Sequence, residues 1–229
     1  MNKEELEPIA VQFPLKGEWC AINTPGEKIP SHGTDQLGQT YAYDFFQIDW
    51  SQKGYRFFKK PLYKSLIFGV ELKETLCWSK PIFSPFNGEV IEISDGLMER
   101  NPVHIVRDLF TVVKNGFILK AENNRDLKSV LGNYIILKSK DAFCLIAHAR
   151  NGSILVKEGE LVEQGKHLAD VGHSGNSTAP HLHFQLMDSS ELLKAKGIPC
   201  CFKKLQNNIE GEWKDVFNYI PGKRERINA

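Results

Sequence analysis

GNYIILKSKDAFCLIAHARNGSILVKEGELVEQGKHLADVGHSGNSTAPHLHFQL, residues 132–186, is a series of short apolar runs broken by Gly, Asn, Asp and Pro. Runs of four to eight apolar residues bounded by turn residues read as strands, and longer helical periods are missing here. Strands are therefore expected at 134–139, 142–147, 167–171 and 183–187, with a strand and turn around Gly159 within 153–163. Outside this stretch the same pattern gives strands at 41–48, 81–83 and 88–93, so the chain reads as mostly β. Two segments depart from it. Ser189 or Ser190 can cap a short helix over ELLKAK, which Gly197 and Pro199 would close. Residues 95–131 read as an insertion: Asn101-Pro102 could open a helix through Val113, while Asn115-Gly116 is a hairpin signal.

Bulk composition narrows the function classes. A length of 229 residues suits one well-buried domain. Lys and Arg total 29 against 28 Asp and Glu, so nothing in the charge balance favours a nucleic-acid partner. The longest apolar stretches, such as 65–70 and 134–137, fall far short of the roughly 20 residues of a membrane span. The opening MNKEELEPIAVQFPLKGEW has acids and prolines where a secretory signal would have a basic start and an apolar stretch, so no export signal is expected and the compartment is left open. Five scattered cysteines (Cys20, Cys77, Cys144, Cys200, Cys201) contain no CxxC pair and are expected as reduced thiols, with Cys200 and Cys201 on opposite faces of a strand.

The strongest chemical signal is Pro180-His181-Leu182-His183-Phe184. With Leu182 turned into a core, strand alternation puts His181 and His183 together on the other face. Such a pair can bind a metal, or one ring can bind while the other handles protons; the bland alternative is two histidines on an exposed strand face. The pair does not stand alone. His32 lies in a polar segment, His148 ends an apolar run, and Asp44 interrupts the aromatic run 41–46, where a carboxylate is costly unless paired or metal-bound. Catalytic zinc prefers three ligands from His and carboxylate with a fourth position open. His32, Asp44 and His183 would supply that set, leaving His181 and His148 as free imidazoles for proton transfer and oxyanion stabilisation.

Residues 132–186 resemble the core of lysostaphin-type zinc endopeptidases, which cut peptide bonds in bacterial cell-wall peptidoglycan. SPFNGEVIEI (84–93) resembles that family's first core strand pair, and AYDFF its Asp-bearing strand. The resemblance implies a duplicated hybrid motif of antiparallel sheets forming a groove, with a few short peripheral helices. It implies one zinc ion per chain on His32, Asp44 and His183, catalytic roles for His148 and His181, and a peptide or peptidoglycan substrate. FSPFNGEVIEI and LVKEGELVEQGKHLADV also resemble half-motifs of biotinyl and lipoyl carrier domains, which fits a duplicated β motif rather than an activity.

Three departures from the family pattern stand out. The commonest pattern separates the first His from its Asp by four residues, whereas His32 and Asp44 are twelve apart; Asp35 competes, but its polar turn explains it as a turn residue. The insertion at 95–131 is expected to wall or cover the cleft. The third is the missing export signal. One domain spans 1–229, with a core at about 28–188 and an extension at 189–229 whose GKRER end is expected as a solvated tail. Asn133 and His173 are candidate substrate contacts, His104 and His167 are expected to be solvent-facing or locally bonded, and the four tryptophans are expected to pack. The chain is expected to act as a monomer. Two rivals use the same β fold: a phosphoryl carrier with paired histidines, and a metal-free peptide- or glycan-binding module.

Overall fold

The computed structural model describes residues 7–229 apart from 53, 55, 60, 105, 112 and 115–126. Its strands are β1 (Ile9–Val11), β2 (Glu18–Asn23), β3 (Tyr43–Phe46), β4 (Pro81–Phe83), β5 (Gly88–Ser94), β6 (Asn133–Lys138), β7 (Phe143–Ala149), β8 (Leu161–Val162), β9 (His167–Asp170), β10 (Leu182–Met187), β11 (Gly197–Ile198), β12 (Cys200–Ile209), β13 (Glu212–Tyr219) and β14 (Ile227–Asn228). Short helices at Leu62–Phe68 and Lys128–Leu131 and brief 3-10 turns lie between them. The protein is mostly β, and the strands expected at 41–48, 81–83, 88–93, 134–139, 142–147, 167–171 and 183–187 form within two residues of their expected bounds, while 153–163 holds a turn and only the two-residue β8.

One large sheet runs in the order β1-β12-β14-β2-β3-β10-β7-β6-β5-β8, with β11 on β10 and β13 on β12, beside a small β4-β9 sheet. All the pairings are antiparallel except β1 with β12, which brings the two ends of the chain together in parallel. The core gathers aromatic side chains from strands distant in sequence. Phe13 meets Phe45 and Phe202 edge to face at ring-centroid distances of 4.9 and 5.0 Å, and Tyr43 stacks on Phe45 at 5.3 Å while its hydroxyl donates to the Cys200 carbonyl. Edge-to-face and offset pairs add to the burial of such rings.

Some local expectations do not hold. ELLKAK forms a single turn, with the Lys194 and Ala195 amides on the Glu191 carbonyl, and no helix. Pairing of Leu186 with Ile198 closes the loop too tightly for a second turn, and Asp188 seals it by bonding Lys196. GKRER is no tail: Arg224 donates its amide to Ala21, Arg226 pairs with Glu18, and Ile227 is wholly buried. Cys200 and Cys201 do lie on a strand, but both are buried, and all five cysteines are free. In the insertion, residues 106–111 and 113–114 are helical, as the Asn101-Pro102 reading expects; Asn115-Gly116 lies outside the described residues.

Candidate active site

β10 lies between β3 and β7, and its register sets the site. His183 pairs with Asp44 on one side and with Ala147 on the other, so directly opposed positions put the imidazole and the carboxylate on the same face. Leu182 and Phe184 point the other way into the core. His148 stands next to Ala147 in a bulge: Asn133 pairs with Ala149 and Ile135 with Ile146, leaving two residues of β7 opposite one of β6. The bulge puts His148 in the left-handed region at φ 63° and re-aims its ring. A strained conformation of this kind costs of order 1–3 kcal/mol and tends to persist at functional positions. His32 comes from the loop before β3, in a turn closed by the Gly33 amide on the Pro30 carbonyl.

Asp44, 8% exposed, is the hub. Its Oδ2 lies 2.9 Å from His32 Nε2 and accepts from Asn23 Nδ2 at 2.6 Å; its Oδ1 lies 2.9 Å from His183 Nδ1 and 3.4 Å from His181 Nε2. Burial opposes the carboxylate charge, but the charges and hydrogen bonds of the three histidines outweigh it and hold this carboxyl well below its ordinary range. His183 is raised above its ordinary value: burial opposes the cation, and the Asp44 hydrogen bond and charge overcome it. His148 moves the other way, lowered well below its ordinary value by burial and by the facing His181 and His183 rings.

The outer bonds fix which nitrogens face inward. Gln185 Nε2 donates to the Leu37 carbonyl at 2.7 Å, so Gln185 Oε1 faces His183 Nε2 at 2.9 Å and must accept from it; Nδ1 is the atom turned to Asp44. His148 Nδ1 donates to the Ser174 carbonyl and His181 Nδ1 to the Ala179 carbonyl, which leaves both Nε2 atoms inward. Ser31 Oγ holds His32 Nδ1 at 3.0 Å. Phe46 stacks flat on His181, 4.7 Å between centroids and 7° between planes.

Ligand atoms of His32, Asp44 and His183 lie within 4.8 Å of one another, the only group of three or more such side chains found among the described residues. Two nitrogens and a carboxylate oxygen with braced rings suit a zinc ion, whose histidine ligands ordinarily carry such second bonds. His148 and His181 stand at the rim of this triad, 4.8 Å apart between centroids, and all five side chains line one cleft of about 640 Å³. Phe46, Thr178 and Asn176 also line it, and Val130 and Leu131 bring the end of the insertion into its wall.

Asp35 is exposed and lies outside the triad. Asn133 and His173, expected at the substrate, are fully buried and do not line the cleft. Asn133 bonds Leu97 and the Ala149 carbonyl, while His173 bonds Ser177, so both brace the walls from behind. His167 is bonded locally to Asp170. Sequence reasoning missed Asn23, Gln185 and Phe46, whose roles depend on cross-strand neighbours; Gln185 alone carried a signal, as a polar residue two positions from His183 in an apolar strand.

Residues 110–195 match the model of Peptidase family M23. The match covers less than half of the chain. Over 56 residues it is 36% identical to the peptidoglycan DD-endopeptidase ShyB of Vibrio cholerae serotype O1, covering 24% of this chain and 13% of that protein. Over 55 residues it is 46% identical to outer membrane antigenic lipoprotein B of Histophilus somni, covering 24% and 16% respectively. The chain thus spans only a small part of the length of these curated relatives. Among solved structures, the catalytic domain of lysostaphin from Staphylococcus simulans aligns at TM-score 0.36 and 17% identity, covering 84% of this chain and 95% of that one. Of the five cleft histidine and aspartate residues, His148, His181 and His183 fall within the matched stretch, and His32 and Asp44 lie outside it.

Proposed function

We propose that this chain is a zinc-dependent endopeptidase that hydrolyses peptide bonds of bacterial cell-wall peptidoglycan. The observation that carries this reading is the convergence of His32, Asp44 and His183 within 4.8 Å, with two further inward-facing imidazoles beside them. In this reading the triad holds one zinc ion per chain, through His32 Nε2, an Asp44 oxygen and His183 Nδ1. Bound there, zinc supplies Lewis acidity that polarises a substrate carbonyl and makes a nucleophile available near neutral pH.

The chain's own groups do the rest. His148, kept neutral by burial, presents a bare Nε2 that accepts the proton of the attacking water. His181 is held by Phe46 and the Ala179 carbonyl with Nε2 turned to the cleft, where in its protonated form it donates to the developing oxyanion, and the proton taken up by His148 passes on to the leaving amine. Val130, Leu131 and Phe46 give the cleft apolar walls that limit water around the scissile bond. All five side chains come from a single chain, so the site is complete in a monomer. The substrate would put the site of action at the cell wall; no helix among the described residues is long and apolar enough to cross a membrane. A phosphoryl carrier would need the paired histidines but not Asp44 buried between His32 and His183, which favours the hydrolase.

Incubating the zinc-loaded protein with purified peptidoglycans and locating new amino termini by mass spectrometry tests the reading. New termini that disappear with a chelator are expected; no release from any wall type would remove the cell-wall assignment.

A further inference from the structure

Asp108 is a wholly buried carboxylate in the inserted segment, away from the cleft lining. Arg100 Nε donates to its Oδ1 at 2.8 Å, Arg107 Nε at 3.0 Å, and the His104 amide to its Oδ2 at 2.8 Å. Two guanidinium groups on one carboxylate satisfy the charge but do not explain its place, because a buried ion pair is weak ground for stability. Its outward connections are more informative. Arg100 spends its other two nitrogens on the Gly175 and Ser177 carbonyls, at 2.9 and 2.7 Å, and Asp108 Oδ2 lies 3.4 Å from Nε2 of the wholly buried His173. His173 Nδ1 meets Ser177 Oγ at 2.9 Å. Ser177 Oγ donates to the Ala179 carbonyl at 2.6 Å, the same oxygen that takes the His181 Nδ1 proton at 2.8 Å, and Ser177 Oγ is itself 3.2 Å from His181 Nδ1.

A chain of polar contacts therefore runs from the insertion to His181: Asp108 holds Arg100, Arg100 holds the Ser177 carbonyl, and the Ser177 hydroxyl, braced by His173, shares the Ala179 carbonyl with His181. Among the described residues, the loop it crosses makes no backbone–backbone hydrogen bond within itself. The start of the loop is held to the core sheet by the Gly172 amide on the His148 carbonyl and by Ser174, while the Asn176 amide on the Val130 carbonyl and close backbone packing of Gly132 on Ser174 and Gly175, where an added Cβ would meet atoms at 2.3–2.4 Å, hold it to the end of the insertion. Both ends of the insertion thus grip the same loop, whose other edge carries His181.

We propose that Asp108, together with Arg100, is a positioning residue for His181: the inserted segment clamps the 172–179 loop so that His181 keeps Nδ1 bonded to Ala179 and Nε2 aimed into the cleft. This rests on the reading of His181 as a donor to the oxyanion in a peptidase. It also gives the insertion a duty beyond the wall formed by Val130 and Leu131.

The test uses the full chain carrying Asp108→Asn, which keeps shape but removes charge, and Ser177→Ala, which cuts the path without burying an unpaired charge. On a cleavable peptide each is expected to lower kcat about tenfold or more, with KM within twofold and zinc content unchanged. Restoring the carboxylate in Asp108→Glu should recover part of the loss. In parallel, nitrogen-15 histidine spectra of the zinc-free protein should show the His181 ring-nitrogen resonances shifting in both variants. Unchanged kcat together with unchanged His181 resonances would overturn the clamp. If the unaltered protein cleaves nothing, the peptidase reading falls, and the spectra alone decide: resonances that do not move overturn the clamp, and resonances that shift support it. Should Asp108→Asn fail to fold, Ser177→Ala decides in the same way.

Discussion

Replacing Gln185 with leucine should weaken zinc binding about 10- to 100-fold without removing a single ligand. Gln185 is wholly buried and makes two bonds, donating to the Leu37 carbonyl and accepting from His183 Nε2. Its orientation is enforced by the turn beneath it. Leu37 sits in the left-handed region at φ 57°, and a Cβ on Gly38 would come within 3.0 Å of Gln185 Nε2, so carbonyl and amide are pressed together. Leucine fills a similar volume but leaves the His183 N–H and the Leu37 carbonyl buried without partners. Each such group costs about 1–3 kcal/mol. Loss of a partner behind a ligand histidine typically lowers metal affinity by about 10- to 100-fold, or about 1.4–2.7 kcal/mol, because the ring no longer has a fixed tautomer and orientation. Gln185→Glu separates the two bonds. It keeps an acceptor for His183 but sets a carboxylate oxygen against the Leu37 carbonyl, so it should bind zinc nearly as well as the parent while melting earlier. Competition with a chromophoric chelator gives the affinities, and thermal denaturation of the zinc-free proteins gives the stabilities. If folded Gln185→Leu binds zinc within twofold of the parent, the reasoning about His183 Nδ1 is refuted.

Two more predictions concern the free imidazoles. In the zinc-free protein His148 and His183 pull stability in opposite directions around the unfolded histidine value of about 6.5. His148 is depressed, so below that pH the unfolded chain takes up a proton the folded chain refuses and stability falls; His183 is raised, so stability falls as pH rises above it. His148→Asn, a residue that tolerates the left-handed backbone, should flatten the loss of melting temperature between about pH 6.5 and 4; an equally steep loss would contradict the assignment. Phe46→Ala removes the ring stacked on His181 and should reduce kcat several-fold while zinc stoichiometry holds; an unchanged kcat would show that the stacking does not position His181.

Much of this site was legible because its signals are local. Alternation put His181 and His183 together without any knowledge of their neighbours, and the cost of a carboxylate in the aromatic run of β3 singled out Asp44 over Asp35. The ends of the chain were not legible. β12 is buried on both faces over Cys200, Cys201 and Phe202 and then turns outward through Lys203 and Lys204, so it shows neither clean alternation nor a continuous apolar run. Its partners β1 and β14 are three and two residues long, too short for periodicity to mark. ELLKAK carried genuine helix start and stop signals, but the pairing of β11 on β10 overrode them. Asn133 and His173 had polar chemistry near the motif, yet only the fold shows that they face away from the cleft. Asp108 gave no sequence signal at all, because its value lies in a loop 65 positions away.

The central claim is that His32, Asp44 and His183 hold one zinc ion that the cleft requires. Metal analysis by mass spectrometry on protein loaded with zinc and then freed of excess should find close to one equivalent per chain. His32→Ala and His183→Ala should lose it, while His148→Asn and His181→Ala should retain it. A folded parent protein that retains no zinc, or variants that retain it equally whichever histidine is removed, would contradict the account.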